Sequence, residues 1–406
     1  MHILVFNCGS ATLKFRLFDL AEGAPLDHIC LLVLGKVDRI GQQAHLEFRL
    51  ASGQTLNTAA TVRGYADAVR LAIDQLSSQQ LLDLREQVVV GHRIVHGGWQ
   101  FFEPVLLDNE GIGAIEEASK LAPLHNKPAL EAIGAARQAM GGAVPMVAVF
   151  DTAFHHRLPD VAAQYAIPRD LANRHHVRRY GFHGLAHRFM MERYAQILGR
   201  PAEALRLITL QLGSGCSVAA IAEGRSVDTS MGFTPLEGLM MSTRSGDLDP
   251  ALVGYLASQE SVPVAKVEEW LNHESGLLGV SGRSADMRDL LEAQRQGDAS
   301  ASLAVDMFCY RARKYIGAYL AVLGGADAVL FGGGIGEHAP EVRARICSGM
   351  EWCGLALDDV RNAHAVGIEA NIATTEAGIG AYVMPVDEEL VIARETARYI
   401  RTLGQQ

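Results

Sequence analysis

A chain of 406 residues, 49% of them hydrophobic, exceeds what a single core usually fills, so two packed domains are expected. Its formal net charge of -10 provides no basic face for a nucleic-acid backbone, which excludes that partner and leaves small, metal-bound phosphates as candidate ligands. The six cysteines (Cys8, Cys30, Cys216, Cys309, Cys347 and Cys353) show neither CxxC pairing nor a compact framework, and read as buried apolar thiols in a reducing cytoplasm.

Taken in chain order, MHILVFNCGS has a short apolar run without a basic leader or cleavage-like region, and reads as a first strand rather than a signal peptide. It opens ILVFNCGSATLKFRLFD, a strand, a glycine-containing turn and a second strand. Asp151 directly follows an apolar strand, MVAVF. The plan of the first hairpin recurs from Leu207 in LITLQLGSGCSVAAIAEG, which hints at an internal duplication. From Val227 to Pro250 runs VDTSMGFTPLEGLMMSTRSGDLDP, whose polar residues and paired turns have no use in a plain core. Asp247 and Asp249 there read as shaping the turn after Arg244 and capping the next helix, rather than as a metal site.

Phe308, Ala312, Ile316, Leu320 and Leu323 recur at helical spacing, Gly324-Gly325 stops that helix, and Ala328 to Phe331 reads as a buried strand. These breaks, with Asp327 and Gly332 to Gly334, interrupt the apolar stretch Tyr315 to Gly336 and argue against a membrane span. Alternating strands and helices give an α/β class, and the paired hairpins give mixed sheets.

Glycine turns can aim backbone N–H groups at phosphate oxygens, and Gly9, Gly213, Gly215 and Gly332 to Gly336 are candidates; each alone is also an ordinary hairpin turn. Neither GxxxxGK[ST] nor a GxGxxG in strand-turn-helix context occurs, so the cradle is of another type. Oxygen ligands for a hard divalent ion are offered by Asn7, Asp151 and Glu388, whose alternatives are a turn Asn, a capping Asp and an exposed Glu. Arg93, Arg244, His125 and His183 supply cations and directed donors of the kind that phosphoryl transfer to a carboxylate needs, or else pair with acids and cap turns. The remaining histidines, His155-His156 and His175-His176 included, lack a metal-ligand pattern, and no zinc is expected.

Seven ordered motifs accompany the central segment: NCGSATLKF (Asn7 to Phe15), HRIVHGG (His92 to Gly98), LAPLHN (Leu121 to Asn126), VAVFDTAFH (Val147 to His155), YGFHG (Tyr180 to Gly184), FGGGIGE (Phe331 to Glu337) and DEELVIA (Asp387 to Ala393). Together they span essentially the whole chain and resemble acetate kinases, of the superfamily that also holds sugar kinases, heat-shock ATPases and actin. The resemblance implies two similar ribonuclease H-like domains with mixed sheets facing a central cleft, the actin-like ATPase fold. It places the first at residues 1–150 with the C-terminal helix 388–406, and the second, nucleotide-binding and dimerising, at 151–387. It also implies a homodimer without nucleic-acid or membrane partners.

By the same resemblance, Arg93, His125, Asp151, His183 and Arg244 are catalytic, with Asp151 positioning metal or water rather than acting as a base. Arg93, Val95, Leu124, Phe182 and Pro235 bind the small acid; the last four also suit an ordinary core. Lys14 attends the phosphates, Leu212, Gly213, Ser214, Gly215 and Cys216 approach the nucleotide, Gly333, Gly334, Ile335, Gly336 and Glu337 lie beside the adenosine, and Asp286, Met287 and Arg288 form a further nucleotide loop. Asn7 and Glu388 hold Mg2+, with Mn2+ as its substitute. The implied reaction is reversible, direct in-line transfer from ATP to acetate, giving acetyl phosphate and ADP.

Departures from the family pattern gather in the loops. HLGNG reads QLGSG (Gln211 to Gly215), Leu185-Ala186 replace Thr-Ser, Ser242 replaces a glycine, Gly332, His338 and Ala339 replace Thr, Asn and Ser, and Asp387 replaces Asn beside the expected metal. Competing readings are a propionate or other short-chain carboxylate kinase, a pyrophosphate-dependent enzyme, a nucleotide-binding regulator without turnover, and an actin-like assembling ATPase.

Overall fold

A computed structural model describes residues 1–9, 11–83, 87–119 and 123–404. The chain divides into two compact units, Met1–Ala153 with Asp387–Gln406, and Phe154–Val386. Asp151 and Asp387 thus belong to the first unit, whereas the sequence boundaries put them in the second domain.

Among the described residues the first unit carries β1 (His2–Cys8), β2 (Thr12–Asp19), β3 (Cys30–Asp38), β4 (Gln43–Leu50), β5 (Thr55–Thr61), β6 (Val88–Ile94), β7 (Val105–Leu106) and β8 (Met146–Phe150). They form one sheet in the order β5-β4-β3-β2-β1-β6-β8-β7. β1 pairs antiparallel with β2 and parallel with β6, which pairs parallel with β8. Side chains alternate across the pleat. Leu4, Phe6 and Cys8 share a core with the helices Tyr65–Ser78 and Pro123–Met140. Val5 and its register partner Gly91 face the other way, toward the helix Glu388–Leu403. A Cβ on Gly91 would fall 2.4 Å from Thr396 Oγ1 and 2.8 Å from Ile392 Cγ2, so the bare backbone lets that helix lie against the sheet.

The pleat also decides which polar residues meet. Asn7 lies two residues after Val5, Lys14 and Arg16 oppose Asn7 and Val5 across the hairpin, and Arg93 lies two after Gly91. All four therefore face the start of the C-terminal helix.

The second unit carries β9 (Leu207–Leu212), β10 (Cys216–Ala222), β11 (Arg225–Thr229), β12 (Ala328–Gly332), β13 (Ala370–Asn371) and β14 (Gly380–Val383), in the order β11-β10-β9-β12-β14-β13. The plan β3-β2-β1-β6-β8-β7 thus recurs as β11-β10-β9-β12-β14-β13, each with an antiparallel meander, two parallel strands and an antiparallel edge. The faint repeat between the two hairpin sequences corresponds to this shared topology.

The helix expected around Phe308 runs Ala299–Leu323. Gly324 ends it in the left-handed region (φ +64°), and Gly325 N–H donates to the Leu320 carbonyl at 2.8 Å, closing orphan carbonyls as C-terminal caps do. Among the described residues no helix is long and apolar enough to cross a membrane.

Candidate active site

In the first unit Arg93 is the hub. Its Nη2 donates to Asp151 Oδ2 at 2.8 Å and its Nη1 to Asn7 Oδ1 at 3.1 Å. Burial alone would lower its pKa, but Asp151, Glu388 and Glu389 together raise it above the ordinary arginine value. Asn7 Nδ2 in turn donates to Glu388 Oε2 at 3.0 Å and Glu389 Oε1 at 2.7 Å. Lys14 is exposed directly across the hairpin from Asn7.

Among the described residues no group of three or more His, Cys, Asp and Glu side chains is placed to hold a metal ion by itself, so a hard divalent ion here would rest on few protein oxygens. Among the described residues, guanidiniums pair with three of the carboxylates of Asp151, Asp387, Glu388 and Glu389: Arg93 with Asp151, and Arg16 with Asp387 and Glu389. No described lysine or arginine forms an ion pair with Glu388. Asn7 Oδ1 keeps a second lone pair beside the one Arg93 uses. With so few protein oxygens, such an ion would complete its shell from water and substrate phosphate, as Mg2+ commonly does. The charge that Asp387 adds is paired with Arg16 at 2.5 Å, and its Oδ1 caps the C-terminal helix through Leu390 N–H at 2.8 Å.

In the second unit the β9–β10 turn is the centre. A Cβ on Gly215 would stand 3.3 Å from His183 Cε1 and Nε2 and 3.5 Å from Arg244 Nη1. Ser242 N–H donates to the Ser214 carbonyl at 3.1 Å, tying the turn to the Arg244 segment. Gly333, in the left-handed region at φ +75°, lies against Leu212, whose carbonyl a Cβ would meet at 2.6 Å. Gly213, Gly215 and Gly333, which the sequence offered singly, thus converge here with His183 and Arg244, whereas Gly9 lies in the β1–β2 turn of the first unit.

Arg244 is the least satisfied member. Its Nη1 donates to the Pro235 carbonyl at 3.0 Å and touches Met241 Sδ at 3.6 Å, and no described carboxylate pairs with it. Burial holds its pKa below the ordinary arginine value. A half-buried guanidinium without a counter-ion is suited to a carboxylate or phosphate. His183, at φ +56°, begins the helix Gly184–Leu198 and shares a hydrogen bond of 2.9 Å between its Nδ1 and Ser217 Oγ.

Several expected residues have other employment. Glu337 Oε1 accepts from Gly333 N–H at 2.9 Å and Val386 N–H at 3.1 Å, so its carboxylate closes a turn. Asp286 caps the helix Met287–Arg295 through Arg288 N–H and holds the Arg288 side chain, while Met287 is core. Cys216 is buried, its thiol pushed up to about 12 by burial. Phe182 and Pro235 are buried too, and Val95 is 9% exposed. Gly334, Ile335 and Gly336 lie in the short helix Gly333–His338. Leu124 and His125 begin the helix Pro123–Met140, but their side chains, like Ser10, Leu121 and Ala122 of the quoted motifs, lie outside the described residues.

The departures are absorbed locally. Ser242 keeps a negative φ, so its Cβ brings no strain. Leu185 and Ala186 are buried in the first turn of their helix. Gln211 is less comfortable, since its Oε1 is buried without a hydrogen-bond partner. Asp247 braces the Arg244 turn, accepting from Gly238 N–H at 2.9 Å and Tyr315 O–H at 2.7 Å, and Asp249 accepts from Ala251 N–H at 2.9 Å.

Sequence reasoning missed the supports. Arg179 donates to Glu237 at 2.6 Å and to the Ser230 and Met231 carbonyls, and Tyr165 O–H also reaches Glu237. Fully buried Arg343 donates to the Gly336, Asn362 and Ala365 carbonyls, pinning the end of the Gly333–His338 helix. These partners lie too far apart in sequence for spacing to reveal them.

The acetokinase family model matches residues 2–394. An acetate kinase of Solibacter usitatus is 48% identical over 408 residues, covering 98% of each chain. The solved acetate kinase of Porphyromonas gingivalis superposes with a TM-score of 0.88 at 37% identity, covering 98% of this chain and 99% of that one. A propionate kinase of Francisella tularensis gives 0.89 at 36%, with the same coverage. Fold and site together define a phosphotransferase with a carboxyl group as acceptor, of a class that uses ATP and ADP as co-substrates. The chain belongs to the acetokinase family.

Proposed function

We propose that the chain transfers a phosphoryl group reversibly between ATP and acetate, with Mg2+ bound at Glu388 and Asn7. The unpaired Arg244 guanidinium, seated beside Gly215 and His183, carries this reading. It is a fork for an anion with no anion among the described residues to fill it.

In this reading Arg93 and Arg244 hold the carboxylate and the moving phosphoryl group, and His183 and His125 donate hydrogen bonds as charge spreads over the equatorial oxygens. Asp151 holds Arg93 in place and positions metal or water; an ionised acetate needs no base. Lys14 and the turn Leu212 to Cys216 attend the phosphates, and Gly333 to Glu337 with Asp286 to Arg288 border the nucleotide. Val95, Leu124, Phe182 and Pro235 wall the acid pocket. Mg2+, when bound, would neutralise phosphate charge.

A second reading, propionate as the preferred acid, is favoured by the similarity to a propionate kinase. One added methylene changes discrimination by only about 1–3 kcal/mol. We place the protein in the cytoplasm, in keeping with six free thiols. We also assign a homodimer through the second unit, where Leu252 and Tyr255 are exposed.

The test is acyl phosphate formation, trapped with hydroxylamine, from Mg-ATP with acetate or propionate, beside an Arg244→Ala control. Acetate turnover lost in the control supports the assignment, and faster propionate turnover selects the second reading. No product from either acid, with nucleotide still bound, would overturn both.

A further inference from the structure

Behind His183 lies a buried chain of hydrogen bonds that the transfer reaction, as assigned above, does not use. Thr209 Oγ1 lies 2.7 Å from His187 Nδ1, His187 Nε2 lies 2.8 Å from Ser217 Oγ, and Ser217 Oγ lies 2.9 Å from His183 Nδ1. Thr209, Ser217 and His187 are each fully buried. The arrangement follows from the pleat: Ser217 opposes Gln211 and Ala219 opposes Thr209 in the β9–β10 register. Thr209 and Ser217 therefore share the face covered by the helix Gly184–Leu198, which carries His187 one turn after His183.

Counting protons fixes the direction of this chain. A serine hydroxyl has one hydrogen and two lone pairs, so it donates to one imidazole and accepts from the other, or accepts from both and leaves its own buried proton without an acceptor among the described residues. Two orders satisfy every group of Ser217. In one, Thr209 O–H donates to His187 Nδ1, His187 Nε2–H to Ser217, and Ser217 O–H to His183 Nδ1. In the reverse order His183 Nδ1–H starts the chain and Thr209 ends it as acceptor. The hydroxyl proton of Thr209 would then be buried with no acceptor among the described residues, where its side chain bonds only to His187. Leaving a buried donor unmade costs about 1–3 kcal/mol, so the first order prevails. It suits a His187 kept neutral by burial and by neighbouring His155 and His183.

We propose that Ser217, oriented by His187 and Thr209, is a positioning residue that holds His183 as the neutral tautomer with its proton on Nε2. That edge of the ring is the one that meets Gly215, so the N–H is presented at the turn assigned to phosphate. Protonating His183 at Nδ1 would either leave the Ser217 proton buried without an acceptor or force Ser217, His187 and Thr209 all to reverse, and both leave a buried donor unmade. His183 thus serves as a directed neutral donor, which rests on the phosphotransferase reading of the site.

The test combines 15N NMR of the His183 imidazole with steady-state kinetics of the full chain, for wild type, Ser217→Ala, Ser217→Thr and Thr209→Val. Wild type is expected to show a protonated Nε2 and a bare Nδ1 at pH 8. Ser217→Ala should average the two nitrogens and lower kcat about tenfold or more, with KM for ATP and acetate within about twofold. Ser217→Thr should restore both readings, and Thr209→Val should shift the tautomer partway. Should Ser217→Ala fail to fold, the near-isosteric Thr209→Val decides. A protonated Nδ1 in wild type, or a tautomer unmoved by both Ser217→Ala and Thr209→Val, would overturn the proposal. A wild type that makes no acyl phosphate would instead fail the proposed reaction while leaving the tautomer result intact.

Discussion

The imidazole of His183 and the backbone of Gly215 are so close that a Cβ on the glycine would stand 3.3 Å from two ring atoms. Gly215 does not use a left-handed backbone, so alanine fits its conformation, and only the ring and the Arg244 tip resist the methyl. Gly215→Ala is therefore expected to melt within about 3 °C of wild type. Its kcat should fall about tenfold or more, because a misplacement of a few tenths of an ångström falls on the transferring group. Initial rates beside a thermal melt check this, and an unchanged kcat would detach the turn from His183's role.

Arg244 behaves differently from Arg93, which Asp151 neutralises at 2.8 Å. Burial disfavours the charged Arg244, and its guanidinium's contributions to folding among the described residues are the bond to the Pro235 carbonyl and the contact with Met241 Sδ. Arg244→Met should abolish acyl phosphate formation by about 1,000-fold or more while the melting temperature stays within about 3 °C. Calorimetry of the variant decides the matter. A drop of ten degrees would make Arg244 a brace for the Pro235 loop instead of a waiting anion site.

Much of this was legible in the sequence, for different reasons at different places. Apolar alternation gave both hairpins, and helical spacing with a glycine pair gave the helix Ala299–Leu323 and its end. The clustering of Asn7, Arg93 and Glu388 was not derivable from spacing, because it depends on which pleat face each residue takes and on a helix that begins 381 residues after Asn7. Motif resemblance supplied these names without the geometry. It also assigned Glu337 and Asp286 to the nucleotide site, and gave no hint that both close local backbone as well. Supports such as Arg179 for Glu237 or Ser217 for His183 carry no sequence signal, since ordinary polar residues acquire such roles only through packing.

Gly332 illustrates a departure made obligatory by its surroundings. The family's usual threonine would place a Cβ 2.5 Å from Val386 Cγ2 and 2.9 Å from Met190 Sδ. Gly332→Thr should therefore destabilise the second unit by about 1–3 kcal/mol, the range for overpacked sites. Val386→Ala should recover part of the loss. Urea unfolding of the single and double variants gives the coupling, and strict additivity would show that Val386 is not what excludes the side chain.

His92 gives the first unit an acid sensitivity with a definite sign. It is buried beside Phe6, its Nε2 has no hydrogen-bond partner, and burial pushes its pKa down to about 3. Between pH 6.5 and about 3 the unfolded chain thus holds a proton that the folded state refuses. The stability of neutral His92 is complete above 6.5 and drains away as pH falls, at up to about 1.4 kcal/mol per unit. His92→Leu removes this proton and should flatten that part of the acid limb. Trp99 is the one tryptophan in the first unit, so its fluorescence, with Trp270 and Trp352 replaced by phenylalanine, follows that unit separately from His187. Equal slopes for His92 and Leu variants would mean that His92 accepts its proton without unfolding, and that water reaches Nε2 more readily than its burial implies.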